Sequence, residues 1–166
     1  MKTLFVVRHA KSDWSTLNQS DKERVLNPRG IRDAPIVAAH VAELQTTPQL
    51  LISSTATRAA STAAYFIDAL HLSPIRVVRS DAVYEASVKG LMEIVNSIDK
   101  EVTCAMLVGH NPGVTDLVRY LAEESFAHMP TCGVAVITFK HASSWQEIGR
   151  GTGQLEAFLY PKKISS

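Results

Sequence analysis

The sequence predicts an α/β fold, a three-layer sandwich whose mostly parallel central sheet ends in an antiparallel C-terminal strand pair. Three observations carry this expectation. Short apolar, β-branched runs alternate with segments of helical character as far as about residue 123, the pattern of parallel strands joined by crossover helices. After residue 130 the pattern becomes two strand-like runs separated by a polar, glycine-bearing stretch, which suits a pair in which one or both strands run antiparallel to the rest. The 166 residues suffice for one core and are too few for two ordinary domains, so one domain over residues 1–166 is expected.

In chain order, residues 3–8 form the first apolar run and stop abruptly at Arg8 and His9. A long element-free stretch from Ala10 to about Asn27 follows, long enough to suggest a binding loop. Asn27 and Pro28 then read as an N-cap and first helical residue, opening a helix over about 28–45. Pro35 interrupts that pattern, and the helix must either kink there or start late. Strands are expected near 49–53, 75–79 and 103–109, and helices over about 55–70, 87–98 and 112–123. The last of these helices is expected to take Asn111 as N-cap and Pro112 as its first residue. Thr131 to Lys140 and Gln154 to Tyr160 are the two final strands.

Composition removes several classes of function. The net charge is +1 and the basic residues are unclustered, so a nucleic-acid or membrane-surface binder is not expected. Arg8 ends the N-terminal apolar stretch short of a signal-peptide core, and no run approaches the roughly 18 residues of a membrane span. Cys104 and Cys132 lack metal-ligand spacing and read as reduced, buried thiols of a cytoplasmic protein.

The predicted strand ends carry the chemistry. In a parallel sheet the carboxyl ends face one way, and ligands collect in the crevice outside them. The first strand delivers Arg8 and His9. The second ends at Ser53-Ser54-Thr55, with Arg58 in the next helical turn, and the fourth leads into Gly109, His110, Asn111, Pro112 and Gly113. Two arginines, two histidines and two helix N-termini at one edge suit a phosphoryl group. No zinc-type H-E-x-x-H pattern and no G-x-x-x-x-G-K loop is present, so neither a metal nor a nucleotide loop is expected. Lys11, Ser12 and Asp13 either line the cleft mouth or form an exposed polar loop. His40, His71, His128 and His141 have no motif and read as surface or structural residues.

The runs L-F-V-V-R-H-A-K-S-D-W at 4–14, R-V-L-N-P-R-G at 24–30, S-S-T-A-T-R-A at 53–59, Y-E-A-S at 84–87 and V-G-H-N-P-G at 108–113 resemble the histidine phosphatase superfamily. Within it the chain is most similar to SixA-type phosphohistidine phosphatases, over nearly its whole length. One departure is Ala10, where the family's R-H-G has glycine.

The resemblance implies a phosphoglycerate-mutase-like fold and a phosphatase that needs neither metal nor cofactor. It makes His9 the nucleophile that carries the phosphoryl group. Arg8, Arg58 and His110 become the phosphate clamp, with Arg24 a further phosphate ligand. Glu85 becomes the proton donor to the leaving group, although it also reads as a solvated loop carboxylate. The expected substrate is phosphohistidine on a protein partner, because larger members carry insertions that close over small molecules. A small-molecule phosphomonoesterase and a catalytically silent phosphate-binding module are the competing readings.

Overall fold

The computed structural model describes residues 1–165. Its strands are β1 (Lys2–Arg8), β2 (Leu50–Ser54), β3 (Val77–Ser80), β4 (Cys104–Gly109), β5 (Val134–Phe139) and β6 (Gln154–Leu159). Its α-helices are α1 (Pro28–Ala42), α2 (Thr57–Leu70), α3 (Val88–Asn96), α4 (Gly113–Ala122) and the short α5 (Pro161–Ser165). The strands form one sheet in the order β3-β2-β4-β1-β5-β6. β3, β2, β4 and β1 are parallel, β5 pairs antiparallel with β1, and β6 pairs antiparallel with β5. Only β5 therefore runs against the rest.

Strand periodicity explains why the sheet is covered on both faces. Leu4 and Val6 of β1 join Ala105 and Leu107 of β4 in a core with α3 and α4. The alternate residues Phe5, Val7, Cys104, Met106 and Val108 point the other way, into a core with α1 and α2. Burying each large apolar side chain contributes about 1.5–3 kcal/mol, and the central strands make that contribution on both faces.

α1 begins where the sequence predicts, with Asn27 as N-cap accepting from the N–H of Gly30 at 2.9 Å. It runs through Pro35 instead of starting after it. Pro35 lies on the exposed face, so the Ile31 carbonyl that loses its helical partner is on the solvent side, where water can satisfy it. The prediction for α4 needs correction. The helix starts at Gly113, Pro112 is its N-cap residue, and Asn111 caps nothing. The Asn111 side chain instead donates to the Met129 carbonyl at 2.9 Å and accepts from Thr115 Oγ1 at 2.7 Å, tying α4 to the segment before β5.

β3 begins two residues later than predicted, because Pro74–Arg76 forms a 3₁₀ turn first. β5 begins at Val134, since Cys132 adopts a positive φ of 58° that ends extended structure. The stretch from Ala10 to Asn27 contains a 3₁₀ turn, Asp21–Glu23, and a bridge pairing Ser12 with Leu26. Among the described residues no helix is long and apolar enough to cross a membrane. Cys104 and Cys132 are both buried and unbonded.

Candidate active site

The strand order places β4 between β1 and β2, so the residues that follow these three strands meet at one edge. A cleft of about 740 Å³ opens there, lined among others by Arg8, His9, Arg24, Arg58, Glu85 and His110. All six residues singled out in the sequence thus face one cavity. The His9 and His110 ring centroids are 5.2 Å apart.

His9 is almost completely buried, and its Nδ1 lies 2.7 Å from the Ala10 carbonyl oxygen. That oxygen can only accept, so Nδ1 carries the proton and Nε2 of the neutral ring is left with a free lone pair. Burial pushes the His9 pKa down to about 3, partly opposed by the Ala10 bond and reinforced by His110, Arg58 and Arg8. The ring is therefore neutral at physiological pH.

The Ala10 peptide is itself held. Its N–H donates to Thr62 Oγ1 at 2.9 Å, and the Thr62 hydroxyl donates to the Arg58 carbonyl at 2.8 Å. Thr62 is fully buried and links the segment after His9 to the turn bearing Arg58. Ala10 is not among the residues with positive φ, which is why the position accepts alanine in place of glycine.

His110 Nε2 lies 2.8 Å from Ser54 Oγ, which also accepts from the Ala56 N–H. The Ser54 hydroxyl proton has no other acceptor among the described residues, so it donates to His110 Nε2, which places the imidazole proton on Nδ1. Burial, then the charge of Arg58, lowers the His110 pKa to about 4. Three nitrogens of the site are buried with no hydrogen-bond partner among the described residues: Arg8 Nε, Arg58 Nε and His110 Nδ1. Leaving such donors unpaired costs about 1–3 kcal/mol each, and a phosphoryl group has acceptors to offer all of them.

The arginines are braced. Arg8 Nη1 donates to the Met129 carbonyl at 3.1 Å. Arg58 donates to the Asp21 carbonyl at 2.6 Å and to its carboxylate at 3.0 Å. Arg24 donates to Asp21 Oδ1 at 3.2 Å and to Ser12 Oγ, and its guanidinium stacks 3.4 Å over the Trp14 ring. The Tyr84 hydroxyl donates to Asp21 at 2.5 Å, and the Tyr84 ring meets the His110 ring edge-on. That hydroxyl, with Arg58 and Arg24, lowers the Asp21 pKa to about 2, while the same bond raises Tyr84 to about 12.

The helix ends differ in a telling way. α1 and α3 have side-chain caps, from Asn27 and Ser87, whereas α2 and α4 have none; residues at the starts of α2, α3 and α4 all line the cleft. In the first turns of α2 and α4 the Ala59 and Val114 N–H groups bond to the Ala56 and His110 carbonyls, and no side chain closes the positive dipole ends. Gly113 is required here, because a Cβ would come within 2.6 Å of the Ala86 carbonyl oxygen and push α4 away from the segment bearing Glu85. Glu85 itself is exposed at the rim and adopts a left-handed φ of 54°, a conformation that strains a non-glycine residue.

Lys11, Ser12 and Trp14 line the cleft. His40, His71, His128 and His141 are exposed and lie outside it. Sequence reasoning missed Asp21, Ser54, Thr62 and Tyr84 as supporting residues. Spacing could have suggested two of them, since Asp21 stands three residues before Arg24 and Thr62 one helical turn after Arg58. Among the described residues no three His, Cys, Asp or Glu side chains are gathered to hold a metal ion.

The model of the histidine phosphatase superfamily, branch 1, matches residues 4–93, more than half of the chain. The chain belongs to that superfamily. An uncharacterized protein of Mycobacterium tuberculosis is 31% identical over 94% of this chain and 100% of its own length. An uncharacterized chloroplastic protein of Arabidopsis thaliana is 28% identical over 96% of this chain and 78% of its own.

Among solved structures, one from Agrobacterium tumefaciens described as a phosphohistidine phosphatase SixA superposes with a TM-score of 0.80 at 27% identity, covering 96% of this chain and 98% of that one. A SixA protein histidine phosphatase complexed with tungstate gives 0.82 at 19%, covering 98% and 99%. A mycobacterial glucosyl-3-phosphoglycerate phosphatase shares the fold at 0.66 and 15%, covering 94% and 97%. The phosphoglycerate-mutase-like fold, the SixA type and a phosphatase activity follow from these matches.

Proposed function

We propose that this phosphatase hydrolyses phosphohistidine on a protein partner through a phosphoryl intermediate on His9. The carrying observation is the state of His9, neutral, with Nδ1 bonded to the Ala10 carbonyl and Nε2 free in a cleft that also presents the unpartnered nitrogens of Arg8, Arg58 and His110.

In the first step His9 Nε2 attacks phosphorus in line, and a P–N bond forms as the bond to the leaving group breaks. Arg8, Arg58, Arg24 and His110 hold the three non-bridging oxygens, and the uncapped ends of α2 and α4 add to the positive field. Glu85 at the rim gives a proton to the leaving group and later takes one from the attacking water. Water then breaks the P–N bond on His9 and releases inorganic phosphate, restoring the free imidazole.

Two observations support a phosphohistidine in a protein as substrate. Imidazole, whose conjugate acid has a pKa near 6.5, leaves with little help, which suits a rim carboxylate in an exposed position. Trp14, 73% exposed, lines the cleft, and Leu17, 86% exposed, follows three residues later in the same loop; exposed apolar side chains there suit contact with a folded partner. This reading makes the whole chain one catalytic domain in the cytoplasm, serving phosphohistidine signalling.

The test compares a phosphohistidine protein with phosphoimidazole and p-nitrophenyl phosphate, in the presence of EDTA, for the wild type and His9→Ala. The proposal expects His9-dependent turnover of all three, with the highest kcat/KM for the protein. Preference for a small phosphate ester would move the assignment to a small-molecule phosphomonoesterase. No His9-dependent release from any of them would leave a phosphate-binding module.

A further inference from the structure

The Asp21 side chain joins Arg58, Arg24 and Tyr84 at the cleft, and phosphoryl transfer to His9 gives it nothing to do. Its backbone carbonyl and carboxylate receive Nη1 and Nη2 of Arg58, its other carboxylate oxygen receives Arg24, and Tyr84 donates to it as well. It heads the 3₁₀ turn Asp21–Glu23, where Ser20 accepts from the Glu23 N–H and donates to its carboxylate, fixing the turn.

The Asp21 side chain is 43% exposed, so water screens its ion pairs and reduces what they contribute to folding stability. The geometry is more specific than such a pair requires. A guanidinium has five N–H donors in a rigid planar fork. Asp21 engages the outer Nη1 and Nη2 pair, leaving the Nε side of Arg58, buried and without a partner among the described residues, for a ligand. Arg24 is fixed from three sides, by Asp21, Ser12 and Trp14. Asp21 also offsets one of the three guanidinium charges of the cleft.

We propose that Asp21 is a positioning residue for phosphoryl transfer, a single carboxylate that clasps Arg58 and Arg24 and orients them toward the transferring phosphoryl group. Positioning matters here because phosphoryl transfer is catalysed chiefly by placement and electrostatics, and a long, unbraced arginine side chain samples many rotamers. The inference rests on the assignment of Arg58 to the phosphate clamp.

The experiment measures kcat, KM and inhibition by orthovanadate and inorganic phosphate for the wild type, Asp21→Ala, Asp21→Asn and Arg58→Ala. Vanadate reports the five-coordinate geometry of the transition state, and phosphate reports the ground state. Asp21→Ala is expected to lower kcat at least tenfold, with less change in KM, and to weaken vanadate inhibition more than phosphate inhibition. Asp21→Asn, which keeps one acceptor oxygen and the backbone carbonyl, is expected to fall between the wild type and Asp21→Ala. It also decides the matter should Asp21→Ala fail to fold.

Equal weakening of both inhibitors would mark a merely structural residue and overturn the inference. Tighter phosphate binding with undiminished kcat would make Asp21 a competing anion and overturn it too. Wild-type behaviour of Asp21→Ala beside a crippled Arg58→Ala would sink the Asp21 inference alone. Wild-type behaviour of Arg58→Ala would instead remove the clamp assignment beneath it.

Discussion

Lowering the pH from 7 to 5 separates a buried, neutral His9 from an ordinary histidine. With a pKa of about 3, His9 is only about 1% protonated at pH 5, so about 99% of the enzyme keeps a free Nε2. An unperturbed imidazole of pKa about 6.5 would be about 97% protonated and leave about 3% competent, a difference of roughly thirtyfold. His110, with a pKa of about 4, does not disturb the comparison, because its Nδ1 donates in both protonation states. The assay is kcat/KM for p-nitrophenyl phosphate between pH 4 and 8, corrected for titration of the substrate's own phosphate. The expected profile is flat down to pH 5. An acid limb with its midpoint near 6.5 would refute the reasoning that burial keeps His9 neutral.

The same shift makes a stability statement. The folded pKa lies below the unfolded one, so between about pH 6.5 and 3 the unfolded chain binds a proton that the folded chain does not. The stability is whole above that window and declines as pH falls through it, by at most about 5 kcal/mol at 1.36 kcal/mol per pKa unit.

Three further substitutions probe separate parts of the site. Glu85→Gln should lower hydrolysis of alkyl phosphate esters far more than that of phosphoimidazole, since an alkoxide needs a proton and imidazole scarcely does; parallel losses in the two assays would end its role as donor. Gly30→Ala should destabilise the protein by about 1–3 kcal/mol in urea unfolding, although alanine normally favours a helix, because its Cβ would lie 2.2 Å from the Lys11 carbonyl oxygen. A neutral or stabilising result would mean that loop and helix separate freely. Thr62→Val leaves the Ala10 N–H without its acceptor and should cost about 1–3 kcal/mol and at least tenfold in kcat, with both restored in Thr62→Ser. Unchanged turnover in Thr62→Val would show that the Ala10 peptide needs no brace.

The parts of the fold read correctly from the sequence are those with local signals. Alternation along β1 and β4, the Asn27-Pro28 start of α1 and the change of pattern after residue 130 each reflect forces acting within a few residues. The errors came where tertiary contacts override local preference. Asn111-Pro112 has the form of a helix start, yet the Asn111 side chain is taken by Met129 and Thr115. α5 is too short for any periodicity to register. In the site, Arg8, His9, Arg58 and His110 were legible because strand ends announce them. Ser54 and Tyr84 were not, because Ser54 meets His110 only once β4 lies beside β2, and Tyr84 meets Asp21 only once the loop of residues 10–27 folds against the turn before α3. Glu85 was named from the resemblance alone, and its left-handed backbone is a property that no sequence pattern displays.

The central claim is the covalent step at His9. Single-turnover reaction with a ³²P-labelled phosphoramidate, quenched in alkaline detergent and mapped by peptide, tests it most directly. The account predicts a transient label on the peptide containing His9, stable to base, lost in acid and absent from His9→Ala. Turnover by the wild type with no label at His9 on any quench time, or a label that persists in His9→Ala, would contradict it.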